Sequence, residues 1–374
     1  MSNIQDWLKQ LHDKKGSDLF VTAGAPPCIK VHGKIFPILR EALPHARVQE
    51  IIDSIMTEKQ REEFRTTKEC QFAVSLEGVA RFRVSAFYQR NSVGIVCRRI
   101  ETRIPSFEEL DLPDSLADLA MSKRGIIVLV GATGTGKSTT LAAMIGHRNK
   151  HSTGHIISIE DPIEYVHKHR KCLVTQREVG IDTESFEVAL RNTLRQAPDV
   201  ILIGEIRTRD AMEHAITFAE TGHLCLTTLH ANNANQAMDR ILHFFPEDRH
   251  AQVLLDLSFN LKAVVAQQLI PSVDGDRRHV ALEVLINTPL VQEKIRKGKI
   301  EEIKSIMKES GHHGMSTFDQ SLLRLYQEGL ISYDEALRHA DSANEVRLSV
   351  KLSEGGDAES LSRSMRNLDI LDQP

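Results

Sequence analysis

The chain has little of what several protein classes depend on. Its five cysteines, Cys28, Cys70, Cys97, Cys172 and Cys225, are scattered over 374 residues with no Cys-x-x-Cys pair, so neither a zinc site nor a disulfide framework is expected. Lone cysteines in strand-like runs read instead as small buried hydrophobes. No apolar run approaches the ~20 residues that span a bilayer. The N-terminus carries no apolar core behind a basic region, so no secretory leader is expected. Excess positive charge is missing too: 47 Lys and Arg against 51 Asp and Glu give a net charge of −4. That balance leaves no overall electrostatic footprint for nucleic acid, although a local basic stripe would survive the average. The expectation is a cytosolic protein that can still dock on a membrane partner.

What is present is ordinary soluble composition, 26% charged and 41% hydrophobic, in a chain long enough for two domains with separate cores. One stretch organises the rest. Ile126 to Val130 is an unbroken apolar, β-branched-rich run, a buried strand of a parallel sheet. Gly131-Ala132-Thr133-Gly134-Thr135-Gly136-Lys137-Ser138 then fits the phosphate-binding pattern G-x-x-x-x-G-K-[ST] throughout. Leu141, Met144 and Ile145 follow at helical spacing. Glycines let the backbone fold around an anion with its N–H groups inward, and the helix N-terminus adds donors and partial positive charge. Lys137 would reach the β- and γ-phosphates and Ser138 would ligate Mg²⁺. The expected nucleotide contacts are Gly131, Thr133, Gly134, Thr135, Gly136, Lys137, Ser138 and Thr139.

Before this stretch the pattern is α+β. Ile4, Trp7, Leu8 and Leu11 predict an amphipathic helix, and residues 17–22 a strand. Residues 29–35 alternate around a turn at His32-Gly33, residues 47–64 read as one helix, and strands are expected near 80–88 and 94–100. The sheet should be largely antiparallel. Residues 101–124, with Pro105 and Pro113, read as a linker. Strands at 126–130, 155–159, 200–204 and 223–229 then alternate with helices at 137–149, 185–196, 209–220, 235–243 and 247–268, the signature of an α/β domain with a parallel sheet. Domains are expected at 1–100, 125–290 and, helical, 291–350, with a disordered tail at 351–374.

Hydrolysis needs more than a phosphate loop: a carboxylate to position water, another near the metal, and positive charge for the transition state. Glu160-Asp161-Pro162-Ile163-Glu164 ends one strand with three carboxylates; it reads as an acidic site for Mg²⁺ and water, or as a solvated turn. Val200 to Gly204 ends in Glu205, where such proteins usually carry Asp; Glu205 can hold Mg²⁺ through a water. His223 and His230 bracket strand 223–229, either as structural imidazoles or as γ-phosphate sensors. The spacing sets them about 20 Å apart along an extended strand, too far to share a metal. Arg81 and Arg83 alternate with Phe82 and Val84, so both point to one sheet face. That face is either merely solvated or supplies arginines to a neighbouring subunit's nucleotide.

Assembled, these residues resemble the type II/IV secretion ATPases, and within them the PilT/PilU family of type IV pilus retraction motors. The resemblance runs through Gly131–Ser138, Ile159–Glu164, Val200–Glu205 and Thr221–His230 in order and spacing, and extends from Ser17 to about residue 350. Val174-Thr175-Gln176-Arg177-Glu178-Val179-Gly180 and Arg338-His339-Ala340-Asp341-Ser342-Ala343-Asn344 look closest to the PilU branch. It implies a RecA-like P-loop ATPase core behind a small α+β, PAS-like N-terminal domain, with a helical C-terminal region. It implies ATP and Mg²⁺ as cofactors and a homohexamer with nucleotide at subunit interfaces. Glu164 is then the water-activating glutamate, Glu205 the Walker B carboxylate, and Arg83 and Arg98 the finger candidates, with His230 at the nucleotide. The implied partners are the inner-membrane pilus platform protein and a primary retraction ATPase, at the cytoplasmic side of the pilus base.

The cysteine quartet that binds zinc in the family's extension motors is absent, which favours retraction. An Ala-Ile-Arg-Asn-Leu-Ile-Arg segment of PilT-type motors is replaced by Leu290-Val291-Gln292-Glu293-Lys294-Ile295-Arg296, which suits an accessory motor. Two other classes are a non-catalytic, nucleotide-gated coupling ring and, on the same core, a nucleic-acid translocase. The lack of an aromatic-plus-basic strip in the first domain argues against the translocase.

Overall fold

The helix Ile4–Asp13 buries Ile4, Trp7, Leu8 and Leu11, the stripe its spacing predicts. It belongs to a computed structural model that describes residues 4–311 and 314–353. The tail expected at 351–374 lies, beyond Ser353, outside the described residues. The chain forms two compact units: residues up to Ile104 together with His155–Ala197, and Pro105–Gly154 together with residues from Pro198 onward.

The first unit holds β1 (Asp18–Thr22), β2 (Cys28–Val31), β3 (Lys34–Pro37), β4 (Glu69–Leu76), β5 (Ala80–Gln89) and β6 (Ser92–Arg99) in the sheet order β3-β2-β1-β6-β5-β4. Each neighbouring pair is antiparallel, as expected. His32 and Gly33 both take positive φ, 47° and 78°, which closes β2 onto β3 as a two-residue hairpin. The single helix expected over 47–64 is two, His45–Ile55 and Glu58–Thr67. Met56 is extended, and Thr57 starts the second helix with a capping box closed by Gln60. β4 escaped the sequence reading although Cys70 and Phe72 alternate inward along it.

The strands β7 (Gly125–Val130), β8 (Gly154–Glu160), β9 (Cys172–Glu178), β10 (Val200–Ile203), β11 (Leu224–Leu229), β12 (Leu261–Pro271) and β13 (Arg278–Ile286) form a sheet in the order β13-β12-β7-β11-β10-β8-β9. β10, β11, β7 and β12 pair in parallel. β7 is buried throughout, as its run of aliphatic residues demands. Two expectations fail here. The helix read over 247–268 ends at Asn260, and Leu261 opens a strand beside β7. The sheet is not wholly parallel either, because β13 closes it as an antiparallel edge on β12. Among the described residues, the helices Pro289–Arg296, Ile303–Glu309, Phe318–Gln327, Tyr333–His339 and Ala343–Ser353 form the C-terminal region.

Candidate nucleotide site

β7 ends at Val130, and the chain turns at once through Gly131, Gly134 and Gly136, with φ of 153°, 82° and 89°. These values suit glycine alone at little cost. The helix Lys137–His151 begins directly after Gly136. Lys137 Nζ donates to Gly131 O at 2.7 Å and Ala132 O at 2.9 Å, so its ammonium lies across the loop's own backbone. Ala132, Thr133 and Gly134 are exposed, while Ser138 and Thr139 are half-buried in the first helical turn. The loop thus presents a backbone cradle, an ammonium and a hydroxyl at one helix N-terminus, the chemistry a nucleotide's phosphates and a divalent cation require.

A residue that sequence reading missed braces this loop. Gln267, on β12 and 2% exposed, donates from Nε2 to Thr135 O and accepts at Oε1 from Thr140 Oγ1, both at 2.8 Å. A Cβ on Gly131 would lie 2.6 Å from Gln267 O, and one on Gly136 would lie 2.8 Å from Gln267 Nε2. The glycines therefore serve the approach of β12 as well as that of an anion.

Glu205 follows the end of β10, and His230 follows the end of β11. The two parallel strands are neighbours, and Thr228 Oγ1 donates to Gly204 O at 2.7 Å. His230 Nε2 comes within 2.9 Å of Glu205 Oε1, and Arg207 Nη2 within 2.6 Å of Oε2. Two separately expected residues are thus one cluster. His223 is not part of it. The register pairs Leu224 with Gly125 and Leu229 with Val130, which puts His223 at the opposite strand end from the loop. There its Nδ1 sits 3.0 Å from Thr221 Oγ1 and 3.1 Å from Phe218 O, the structural alternative.

In the first unit Glu160 is half-buried and accepts from Ser158 Oγ and Gln176 Nε2. Burial raises its carboxyl, with smaller pushes from the charges of Glu164 and Glu178. Glu164 by contrast is exposed. Glu178, also missed as a site residue, is buried at the end of β9, where Oε2 accepts from Ile163 N at 3.4 Å. Burial raises its carboxyl against the pull of Arg81 and Arg83. Arg83 and Arg98 are direct cross-strand partners on β5 and β6. Arg83 donates to Gln71 Oε1, and Arg98 Nε lies 2.8 Å from Oδ1 of the buried Asp18.

Of the five cysteines, four are buried and Cys28 half-buried, all as free thiols. Burial pushes Cys97 and Cys225 up to about 12, which leaves them unreactive. Among the described residues no cluster of three or more His, Cys, Asp or Glu is placed to hold a metal, and no helix is long and apolar enough to cross a membrane.

The family of type II/IV secretion system proteins matches residues 1–311. The chain is 61% identical to the type IV pilus ATPase PilU of Pseudomonas aeruginosa, over 97% of this chain and 95% of that protein. It is 42% identical to the same organism's type IV pilus retraction ATPase PilT, over 87% and 94% of the two chains. The crystal structure of the pilus retraction motor PilT with bound ADP superposes with a TM-score of 0.86 at 40% identity, covering 92% of this chain and 99% of that one. The Legionella pneumophila ATPase DotB superposes with a TM-score of 0.78 at 25% identity over 89% and 93%. With the phosphate loop and the Glu205–His230 cluster built on this RecA-like fold, the chain belongs to the type II/IV secretion ATPase family, as an ATP-hydrolysing type IV pilus ATPase of the PilT/PilU kind.

Proposed function

We propose that the chain is an accessory retraction motor, a homohexamer at the cytoplasmic side of the pilus base that acts with a primary retraction ATPase on the inner-membrane platform protein. The observation that carries the reading is the pairing of Glu205 with His230 at the strand ends that follow the phosphate-loop strand in the sheet. It couples the expected Mg²⁺ carboxylate to an imidazole, and a motor needs such a γ-phosphate sensor. Likeness to the type IV pilus ATPase PilU over nearly the whole chain supports a pilus motor. The accessory role rests on segment 290–296, which differs from the Ala-Ile-Arg-Asn-Leu-Ile-Arg of PilT-type motors.

In this reading the loop N–H groups hold the β- and γ-phosphates, and Lys137 exchanges its bonds to Gly131 O and Ala132 O for phosphate oxygens. Ser138 and Glu205 would hold Mg²⁺, which would neutralise phosphate charge when bound. The exposed carboxylate of Glu164 takes the proton of the attacking water. Arg83 and Arg98 serve a neighbouring copy's nucleotide, where a guanidinium lowers the cost of transition-state charge. The decisive experiment is pilus retraction in cells carrying Glu164→Gln, with and without the primary motor. An accessory motor loses its contribution to retraction force in both backgrounds. Undiminished retraction with the primary motor present would instead favour the non-catalytic coupling ring.

A further inference from the structure

We infer that Gln267 is a positioning residue of the phosphate site, one that sets the direction of a nucleotide-binding N–H on the opposite side of the peptide it holds. The inference rests on the assignment of residues 131–139 to nucleotide. Its starting point is the fork of the buried Gln267 amide. Thr135 O can only accept, so the group facing it at 2.8 Å is Nε2, and Oε1 is left to face the Thr140 hydroxyl, which must donate. The hydrogen bonding assigns the amide without ambiguity.

The peptide that joins Thr135 to Gly136 is planar and trans, so its C=O and N–H point in opposite directions. Gln267 fixes the C=O toward β12, and the Gly136 N–H is thereby turned away from β12. Gly136 is the residue immediately before Lys137, at the first turn of the helix, where free N–H groups collect for an anion. As a glycine, here at φ 89°, it restrains this peptide little in the absence of a brace. The second arm of the fork ties Thr140, one turn into the helix, to the same side chain. Loop and helix are therefore held in one geometry by a single residue of a different strand, which limits the reorganisation that nucleotide binding requires.

The test uses the full chain with Gln267→Met, Gln267→Asn and Thr140→Val, and reads KM for ATP, affinity for a fluorescent ADP analogue, and the thermal midpoint. Gln267→Met removes the bond to Thr135 O, and Gln267→Asn withdraws it by one methylene. Both should weaken ADP binding and raise KM by about tenfold, the loss of one well-made hydrogen bond to a charged ligand. Thr140→Val removes only the helix arm and should leave ADP affinity within about twofold. Lys137→Ala runs in the same assay: if it fails to weaken binding, the site assignment itself falls. If Lys137→Ala abolishes binding while both Gln267 variants lower the thermal midpoint and leave ADP affinity unchanged, Gln267 is packing alone and the inference is overturned. Equal losses of affinity in Thr140→Val and Gln267→Met would overturn it as well, since the loop arm would have no special part.

Discussion

His230 Nε2 and Glu205 Oε1 lie 2.9 Å apart, with Arg207 on the carboxylate's other oxygen. Glu205 is therefore held from both sides and cannot swing to a new position without breaking two contacts. A carboxylate fixed in this way is pre-oriented for the phosphate site, and the imidazole shares in the fixing. We expect His230→Ala to lower kcat for ATP hydrolysis about tenfold with little change in KM, and Glu205→Gln to lower it about a hundredfold or more. A double-mutant cycle in steady-state kinetics checks the coupling: strictly additive effects would show that the two residues act independently.

Gly136→Ala should remove nucleotide binding while leaving the fold in place. An added Cβ meets Gln267 Nε2 at 2.8 Å, and the residue's φ of 89° is strained for any L side chain. Together these cost on the order of 2 kcal/mol or more at the loop. The clash falls on the side-chain amide that braces the loop rather than on backbone, so it shows as lost ADP affinity rather than global unfolding. Gly131→Ala should be worse, because its Cβ would lie 2.6 Å from backbone at Gln267 O. Circular dichroism and ADP titration separate the two outcomes; wild-type affinity in Gly136→Ala would contradict the argument.

The phosphate loop, the strand ends at Glu205 and His230, and the paired arginines of β5 and β6 were legible because each is marked by local pattern. β12 was not. Leu261-Lys262-Ala263-Val264-Val265-Ala266-Gln267-Gln268 follows helix His250–Asn260 with no Gly or Pro between them, and its Ala, Leu and Gln are good helix formers. The strand is nearly all buried along Leu261–Gln267, so it carries no alternation to betray it. Gln267 was lost with it. β13, buried almost throughout, was missed for lack of the same signal. β9 does alternate, with Cys172 and Val174 buried, but its exposed Leu173 hides the alternation in the sequence. For the break at Met56 a signal existed: Thr57-x-x-Gln60 is a capping box inside what looked like one helix.

Arg98 carries two possible duties, and they can be separated. Its guanidinium is mostly exposed but reaches the buried Asp18. Arg98→Ala leaves that carboxylate without its ion pair, which should lower stability by about 1–3 kcal/mol. Adding Asp18→Asn removes the charge and should restore the thermal midpoint. If Arg98 serves a neighbouring copy's nucleotide, ATPase activity stays low in the double variant although stability returns. Recovery of both would make Arg98 structural. Arg83, whose partner is the neutral Gln71, should show the activity loss with little loss of stability.

Glu283 sets a pH dependence of its own. On β13 it is buried, and its Oε1 accepts from Ala234 N at 2.8 Å. Burial raises its carboxyl from 4.5 to about 7; Asp341 pushes the same way, against the N–H of Ala234 and the ammonium of Lys304. The folded state therefore binds this proton more tightly than the unfolded chain. Its contribution to stability is fully present below pH 4.5 and is lost as pH rises to about 7, amounting to up to about 3 kcal/mol. Glu283→Gln keeps an acceptor for Ala234 and is uncharged at every pH. Its thermal midpoint should match the wild type near pH 5 and exceed it by several degrees at pH 8. His167 works in the opposite sense: burial lowers it to about 4, so its contribution is lost as pH falls from 6.5. That effect is common to both proteins and cancels in the difference. Melting curves of the two proteins from pH 5 to 8 decide the matter, and a gap that does not widen with pH would mean that Glu283 is ionised throughout in the folded protein.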